Sequence, residues 1–144
     1  MSDIVCRPVK NEDELRECFL IRKKIFVDEQ GLFKETDRDE NDEKSIHIVA
    51  LHKDKVIGTV RVYKEKKCIW WGGRLAVTKK NRGRAGRLLI QKAVEIIKEK
   101  NAKHFHANVQ LENVRLLKGL GWEPTGDVFL YNGKPHQLME ADLK

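Results

Sequence analysis

The chain has 144 residues, 40% apolar and 35% charged, which suits one globular domain around one hydrophobic core and excludes a disordered chain. No apolar run reaches the roughly 20 residues of a bilayer span, and the opening Met1–Cys6 lacks the pattern of a secretory leader. A net charge of +7, from 29 basic against 22 acidic residues, suits a polyanionic partner: nucleic acid, a membrane surface or a phosphorylated cofactor.

Ile4 to Val9 reads as a short strand. A helix opens at Asn11, with Glu12, Asp13 and Glu14 in a first turn where they favour the helix dipole. Leu15, Cys18, Phe19, Ile21, Ile25 and Phe26 recur at helical spacing and give it one buried face. Gly31 to Glu43 is polar and acidic and reads as a long loop, of the kind that often carries function. Strands follow over Ile46–Leu51 and Val56–Tyr63, joined through a turn at Lys53-Asp54-Lys55. A third strand runs from Cys68 to Val77. Its adjacent Gly72 and Gly73 predict a bulge or a close backbone approach, and alternation places Trp70 and Trp71 on opposite faces, one in the core and one free to line a pocket.

A basic, glycine-bearing loop, Asn81-Arg82-Gly83-Arg84-Ala85-Gly86, then opens directly into a helix with Leu89, Ile90, Ala93, Val94, Ile96 and Ile97 on its inner face. His104–Gln110 is a further strand, Asn113–Gly119 a short helix, and Gly121–Tyr131 a strand joined through Asn132-Gly133 to a last one over His136–Ala141. The whole, residues 1–144, reads as a single α/β (α+β) domain without repeat or linker. Cys6, Cys18 and Cys68 are odd in number and form no C-x-x-C pair, so no disulfide framework or structural zinc is expected and a reducing cytoplasm is the expected location. His104-x-His106 offers two metal ligands on one strand face with no third at convincing spacing, so no metal is expected either.

The most informative segment is strand, basic glycine loop, helix. A helix N-terminus presents unpaired N–H groups and partial positive charge, glycine lets the backbone approach an anion, and arginines add charge-assisted contacts to phosphate oxygens. Neither G-x-x-x-x-G-K-[ST] nor G-x-G-x-x-G occurs. The alternative is a solvated basic turn. The charge is also divided: residues 28–44 are acidic and residues 79–87 basic, more like two sites than one nucleic-acid face.

Arg74-Leu75-Ala76-Val77 followed by Arg82-Gly83-Arg84-Ala85-Gly86-Arg87-Leu88-Leu89 resembles the acetyl-CoA motif of the GNAT superfamily, strand 4 plus the pyrophosphate loop Q/R-x-x-G-x-G/A. From Arg82 the loop is one residue short of that pattern, and Lys80-x-x-Gly83-x-Ala85 is an alternative register. Gln110 to Trp122 is similar to the family's strand-5 end and following N-x-x-F-Y-x-x-L-G-F, and Gly133-Lys134-Pro135-His136 with Met139 to its closing G-x-P-H-x-x-M. Arg22 to Gln30, with Glu35, Asp37, Asp39, Asp42 and His47, resembles the R-x-x-V-F-V-x-E-Q … E-x-D-x-x-D … H of the ElaA-like subgroup. Together these segments cover most of the chain in the family's order.

The resemblance implies a mixed central sheet of about six or seven strands flanked by helices, with acyl-CoA between splayed strands 4 and 5. It implies direct attack by a primary amine on the thioester of acetyl-CoA, the co-substrate. The backbone of Leu75, Ala76 and Val77 would hold the pantetheine arm and polarise the thioester carbonyl, where charge develops in the transition state. Arg82, Gly83, Arg84, Ala85, Gly86 and Arg87 would cradle the pyrophosphate, and Asn113 would touch the arm or cap its helix. An amine with pKa near ~10 needs a base, and Glu29, His47 and His136 are the catalytic candidates, each with a structural alternative: anchor, core histidine, turn cap. The acids Glu35, Asp37, Asp39 and Asp42 either attract a cationic amine or are simply solvated. Leu117 stands where many relatives have the tyrosine that protonates the departing thiolate. The expected partner is a small-molecule amine or peptide, with no membrane partner, nucleic acid disfavoured and a homodimer open. Two rivals remain: an acyl-CoA-binding module with little catalysis, motivated by Leu117, and a nucleic-acid-binding domain, motivated by the basic cluster.

Overall fold

The computed structural model describes residues 3–144; Met1 and Ser2, part of the stretch read for a leader, lie outside the described residues. In chain order the elements are β1 (Ile4–Pro8), α1 (Glu12–Arg22), a π-helical continuation (Lys23–Glu29), α2 (Asn41–Lys44), β2 (Ile46–His52), β3 (Lys55–Lys66), β4 (Ile69–Val77), α3 (Arg82–Glu99), β5 (His104–Gln110), α4 (Leu111–Gly119), β6 (Trp122–Tyr131) and β7 (Lys134–Ala141). The strands form one seven-stranded sheet in the order β1-β2-β3-β4-β5-β7-β6, antiparallel except where β4 meets β5.

Strand β2 shows how the layers are built. Ile48 and Ala50 join the core beneath α3, while Val49 joins Cys18 of α1 on the opposite face. A strand buried on both faces reads as a continuous apolar run, and Ile48-Val49-Ala50-Leu51 is one. Helix α3 lays Leu89, Ala93 and Ile97 onto the sheet, all at most 3% exposed. The approach is tight: a Cβ added at Gly58 would lie 3.1 Å from the Ala76 carbonyl oxygen and 3.2 Å from Leu89 Cδ1.

Helix α1 begins as its sequence indicates, with the Asn11 side chain accepting the Glu14 N–H at 2.9 Å. Its last turns widen to π geometry, Gln30 N–H donating to the Ile25 carbonyl five residues back at 2.9 Å, and Gly31 ends the run at φ +61°. Two of the two-residue hairpin turns use left-handed pairs, Lys53 and Asp54 (φ 51° and 65°) and Asn132 and Gly133 (φ 49° and 80°), which match the strand twist. Helix α4 starts earlier than expected, at Leu111, so Asn113 lies in its first turn and Gln110 holds the cap position.

Strand β4 carries the feature that creates the site. Thr59 pairs with Ala76 and Arg61 with Gly73, so Val60 alone opposes both Arg74 and Leu75. This is a β-bulge, and Arg74 adopts φ +55° within it. Before the bulge, β4 pairs in parallel with β5 from Ile69/His104 to Gly72/Ala107; beyond Gly72 the two strands pair no further among the described residues. Gly72 is itself the close approach that the glycine pair suggested, since a Cβ there would meet Phe105 Cζ at 3.0 Å.

Candidate active site

The parting of β4 from β5 leaves a cavity of about 250 Å³ that runs through the sheet. On the α3 side it is walled by Ile90, Ala93, Leu117 and Trp122; on the α1 side by Phe33, Tyr63, Trp71 and Tyr131. Trp70 is core and Trp71 lines the cavity, as alternation requires. The stretch of β4 past Gly72 presents main-chain groups to this gap without a strand partner on the β5 side.

The putting together of the expected site residues is uneven. Leu75, Asn113 and His136 line the cavity. His136 is 4% exposed, stands opposite Gln110 at the end of β5, and its Nδ1 lies 2.8 Å from the Lys134 carbonyl. A carbonyl only accepts, so Nδ1 donates, and in the neutral tautomer Nε2 is the accepting nitrogen. The Tyr131 ring stands edge-on to the imidazole at 5.4 Å.

At the far end of β4, α3 begins at Arg82 with no side chain capping its N-terminus. Gly83, Arg84 and Arg87 are exposed around it, and nothing lies within 4 Å of a Cβ built at Gly83. Ala85 and Gly86 are buried instead, Ala85 in the main core and Gly86 towards Leu116 of α4. Arg82 folds back, donating from Nε to the Val77 carbonyl at 3.0 Å and from Nη2 to Glu29 at 2.7 Å. That hydrogen bond holds the Glu29 carboxyl below its ordinary range. Glu29 is thus beside the basic loop and, unlike His136, does not line the cavity.

His47 is in neither place. It is 6% exposed, its Nε2 lies 2.9 Å from the Asp42 carbonyl, and burial pushes its imidazole below the ordinary value. The acidic run corrects the expectation most clearly. Asp37 and Asp42, 1% and 8% exposed, are neither solvated nor free for an amine. Arg22 donates to Asp37 at 2.7 Å and to both oxygens of Asp42 at 2.8 and 3.0 Å. Arg61 donates to Asp42 at 2.9 Å and to Asp39 at 2.7 and 3.0 Å. Burial by itself would raise the Asp42 carboxyl; hydrogen bonds from Arg22, the Asp39 amide and Arg61 outweigh it and hold the group well below the carboxylate range. Only Glu35 of the four acids is exposed, beside α1 rather than on the cavity.

Tyr131, Tyr63 and Arg61 line the cavity without having been singled out from the sequence. Tyr131 directly precedes the Asn132-Gly133 turn, the one signal that marks it as close to His136 across the β6–β7 hairpin. The expectation that His104 and His106 lack a third donor is also corrected: β5 pairs with β7 so that Glu140 stands opposite His106.

Comparison with known proteins agrees with this architecture. A family model for the acetyltransferase (GNAT) family matches residues 10–122. The uncharacterised N-acetyltransferase YjcF of Bacillus subtilis (strain 168) is 32% identical over 135 residues, covering 92% of this chain and 96% of YjcF. The crystal structure of Escherichia coli ElaA superposes with a TM-score of 0.84 at 21% identity, over 99% of this chain and all of that one. The CoA-dependent acyl-homoserine lactone synthase BjaI, solved with SAM and isopentyl-CoA, gives 0.79 at 19% identity, over 98% of this chain and 83% of that one. The seven-stranded sheet flanked by helices thus matches solved structures of this fold, and the chain belongs to the acetyltransferase (GNAT) family and is an acyltransferase.

Proposed function

We propose that the protein transfers an acetyl group from acetyl-CoA to a primary amine of a small molecule or peptide by direct attack. The observation that carries this reading is the continuity of the site: the parted strands, the cavity between them, and the uncapped basic start of α3 lie in one line along β4. The pyrophosphate sits at the N–H groups of α3, with Arg82, Arg84 and Arg87 adding charge. The pantetheine arm runs along Leu75, Ala76 and Val77, and the thioester rests at the bulge, where a β4 amide polarises its carbonyl.

The amine attacks the thioester carbon, His136 Nε2 accepts a proton from the attacking nitrogen, and the C–S bond breaks. The imidazolium then returns that proton to the departing thiolate, so the residue acts as base and then acid and no tyrosine is required at Leu117. Glu29 serves by holding Arg82, and His47 by supporting the loop that carries Asp42. Bringing donor and acceptor together across the sheet supplies much of the remaining rate.

Leu117 favours a second reading, an acyl-CoA-binding module of low catalytic power, because that buried side chain lines the cavity and has no proton to give. Calorimetry with acetyl-CoA, followed by a panel of amines with thiol detection, separates the two. Binding with thiol release on one or more amines supports transfer. Binding without turnover of any amine supports the module, and no binding of acetyl-CoA or CoA overturns both.

A further inference from the structure

The register of four strands places Trp71, His106, Glu140 and Glu123 in one row across the sheet: Trp71 pairs with His106, His106 with Glu140, and Glu140 with Glu123. Directly paired residues share a face, and His104 lies two residues before His106 on that same face. Both histidines aim Nδ1 at one carboxylate, His104 at 2.9 Å from Glu140 Oε2 and His106 at 3.7 Å from Oε1. The imidazole rings are parallel to within 3°, with centroids 5.9 Å apart. The His106 Nδ1 is buried and has no hydrogen-bond partner among the described residues. Such an atom loses its hydration without replacement.

We propose that His104, His106 and Glu140 form a site for a divalent transition-metal ion of the zinc class. One donor atom from each lies within 4.8 Å of the other two. Bonds of about 2.1 Å to a tetrahedral ion place donors about 3.4 Å apart, so small side-chain rotations close the set. Two imidazoles and one carboxylate favour zinc and its neighbours over magnesium or calcium, which prefer oxygen alone. The ion satisfies the buried His106 nitrogen, and the carboxylate of Glu140, with Glu123 next in the row, offsets its charge. Three protein donors leave one tetrahedral position for water or a ligand. The Trp71 ring packs on His106 at 5.1 Å and itself lines the cavity, so the ion sits at the rim of the acyl-transfer site without being part of it.

The test is Zn²⁺ titration of the intact chain by calorimetry, with no acyl-CoA present, so it does not depend on the acyl-transfer reading. One equivalent is expected to bind. His104→Ala and Glu140→Gln, both at exposed or half-exposed positions, should each weaken binding tenfold or more, with His52→Ala as an unaffected control. The circular dichroism and melting temperature of the metal-free variants check that they fold. Excess Mg²⁺ should not compete. Absence of stoichiometric Zn²⁺ binding, or parent-like affinity in folded His104→Ala and Glu140→Gln, would overturn the assignment.

Discussion

Arg74 donates to the main-chain carbonyl of Asp37 through both Nε, at 3.1 Å, and Nη2, at 2.8 Å. The loop ahead of α2 is thereby fastened to the bulge of β4. Left-handed backbone at a non-glycine residue costs about 1–2 kcal/mol, so the clamp holds Arg74 in a conformation it would otherwise leave. Arg74→Ala is expected to destabilise the fold by about 1–3 kcal/mol through unsatisfied partners and to raise the KM for acyl-CoA by loosening the bulge. Arg22→Ala, which removes three hydrogen bonds to two buried carboxylates and leaves Asp42 to Arg61 and Asp37 to Arg74, should cost about 3–5 kcal/mol. Urea denaturation with linear extrapolation measures both; equal, small losses would refute a network centred on Arg22.

Stability should fall on acidification in two stages. The imidazole of His47 lies below its ordinary value in the folded protein, so the unfolded chain takes up that proton first. Its contribution is complete above about pH 6.5 and is lost as pH falls through the depressed folded value. Asp42 has the same sign: its carboxyl is depressed by Arg22 and Arg61, so its contribution is full above about pH 4 and fades below it. Urea midpoints measured from pH 8 to pH 3 should show both declines, and His47→Gln should flatten the upper one alone. A pH-independent midpoint in the parent would contradict the assignment.

The basic loop gives a graded expectation. Arg82→Ala should weaken CoA about tenfold, the effect of losing one charge-assisted contact of about 1.4 kcal/mol. Glu29→Gln keeps the Arg82 charge but removes its 2.7 Å anchor, so a smaller loss, roughly threefold, is expected. Calorimetry at two salt concentrations should show the Arg82 difference shrink at high salt. A larger effect from Glu29→Gln than from Arg82→Ala would place Glu29 in chemistry rather than in support.

His136→Ala should lower kcat by about 10²–10⁴-fold, the range for a positioned acid–base group, with CoA affinity nearly unchanged. Calorimetry on the same preparation distinguishes loss of chemistry from loss of binding. Tyr131→Phe keeps the ring that stands edge-on to the imidazole, removes only its hydroxyl and should leave most of the rate. If Tyr131→Phe were the more damaging change, the tyrosine would be the proton donor.

Local patterns made most of the fold readable. The helix start at Asn11, the Asn132-Gly133 turn, the inner face of α3 and the paired glycines of β4 each act within a few residues, and the structure contains each as expected. What was hidden depended on partners far along the chain. Asp37 looked like a solvated acid because Arg22 and Arg74, which bury it, are 15 and 37 residues away. The third donor to His104 and His106 stayed unseen because β7, not β6, lies beside β5, and the sequence order of strands does not carry that. His47 and His136 are indistinguishable as residue types, and only the sheet assigns one to a charge network and the other to a cavity wall.

The early parting of β4 and β5 leaves the sheet short of several rungs at its centre, where rungs normally hold a fold most firmly. A bound acyl-CoA whose amides lie along β4 would act as a missing strand and supply rungs that the free protein lacks there. Saturating ligand should therefore raise the melting temperature by mass action, and slow amide exchange most strongly on the two strands that the gap separates.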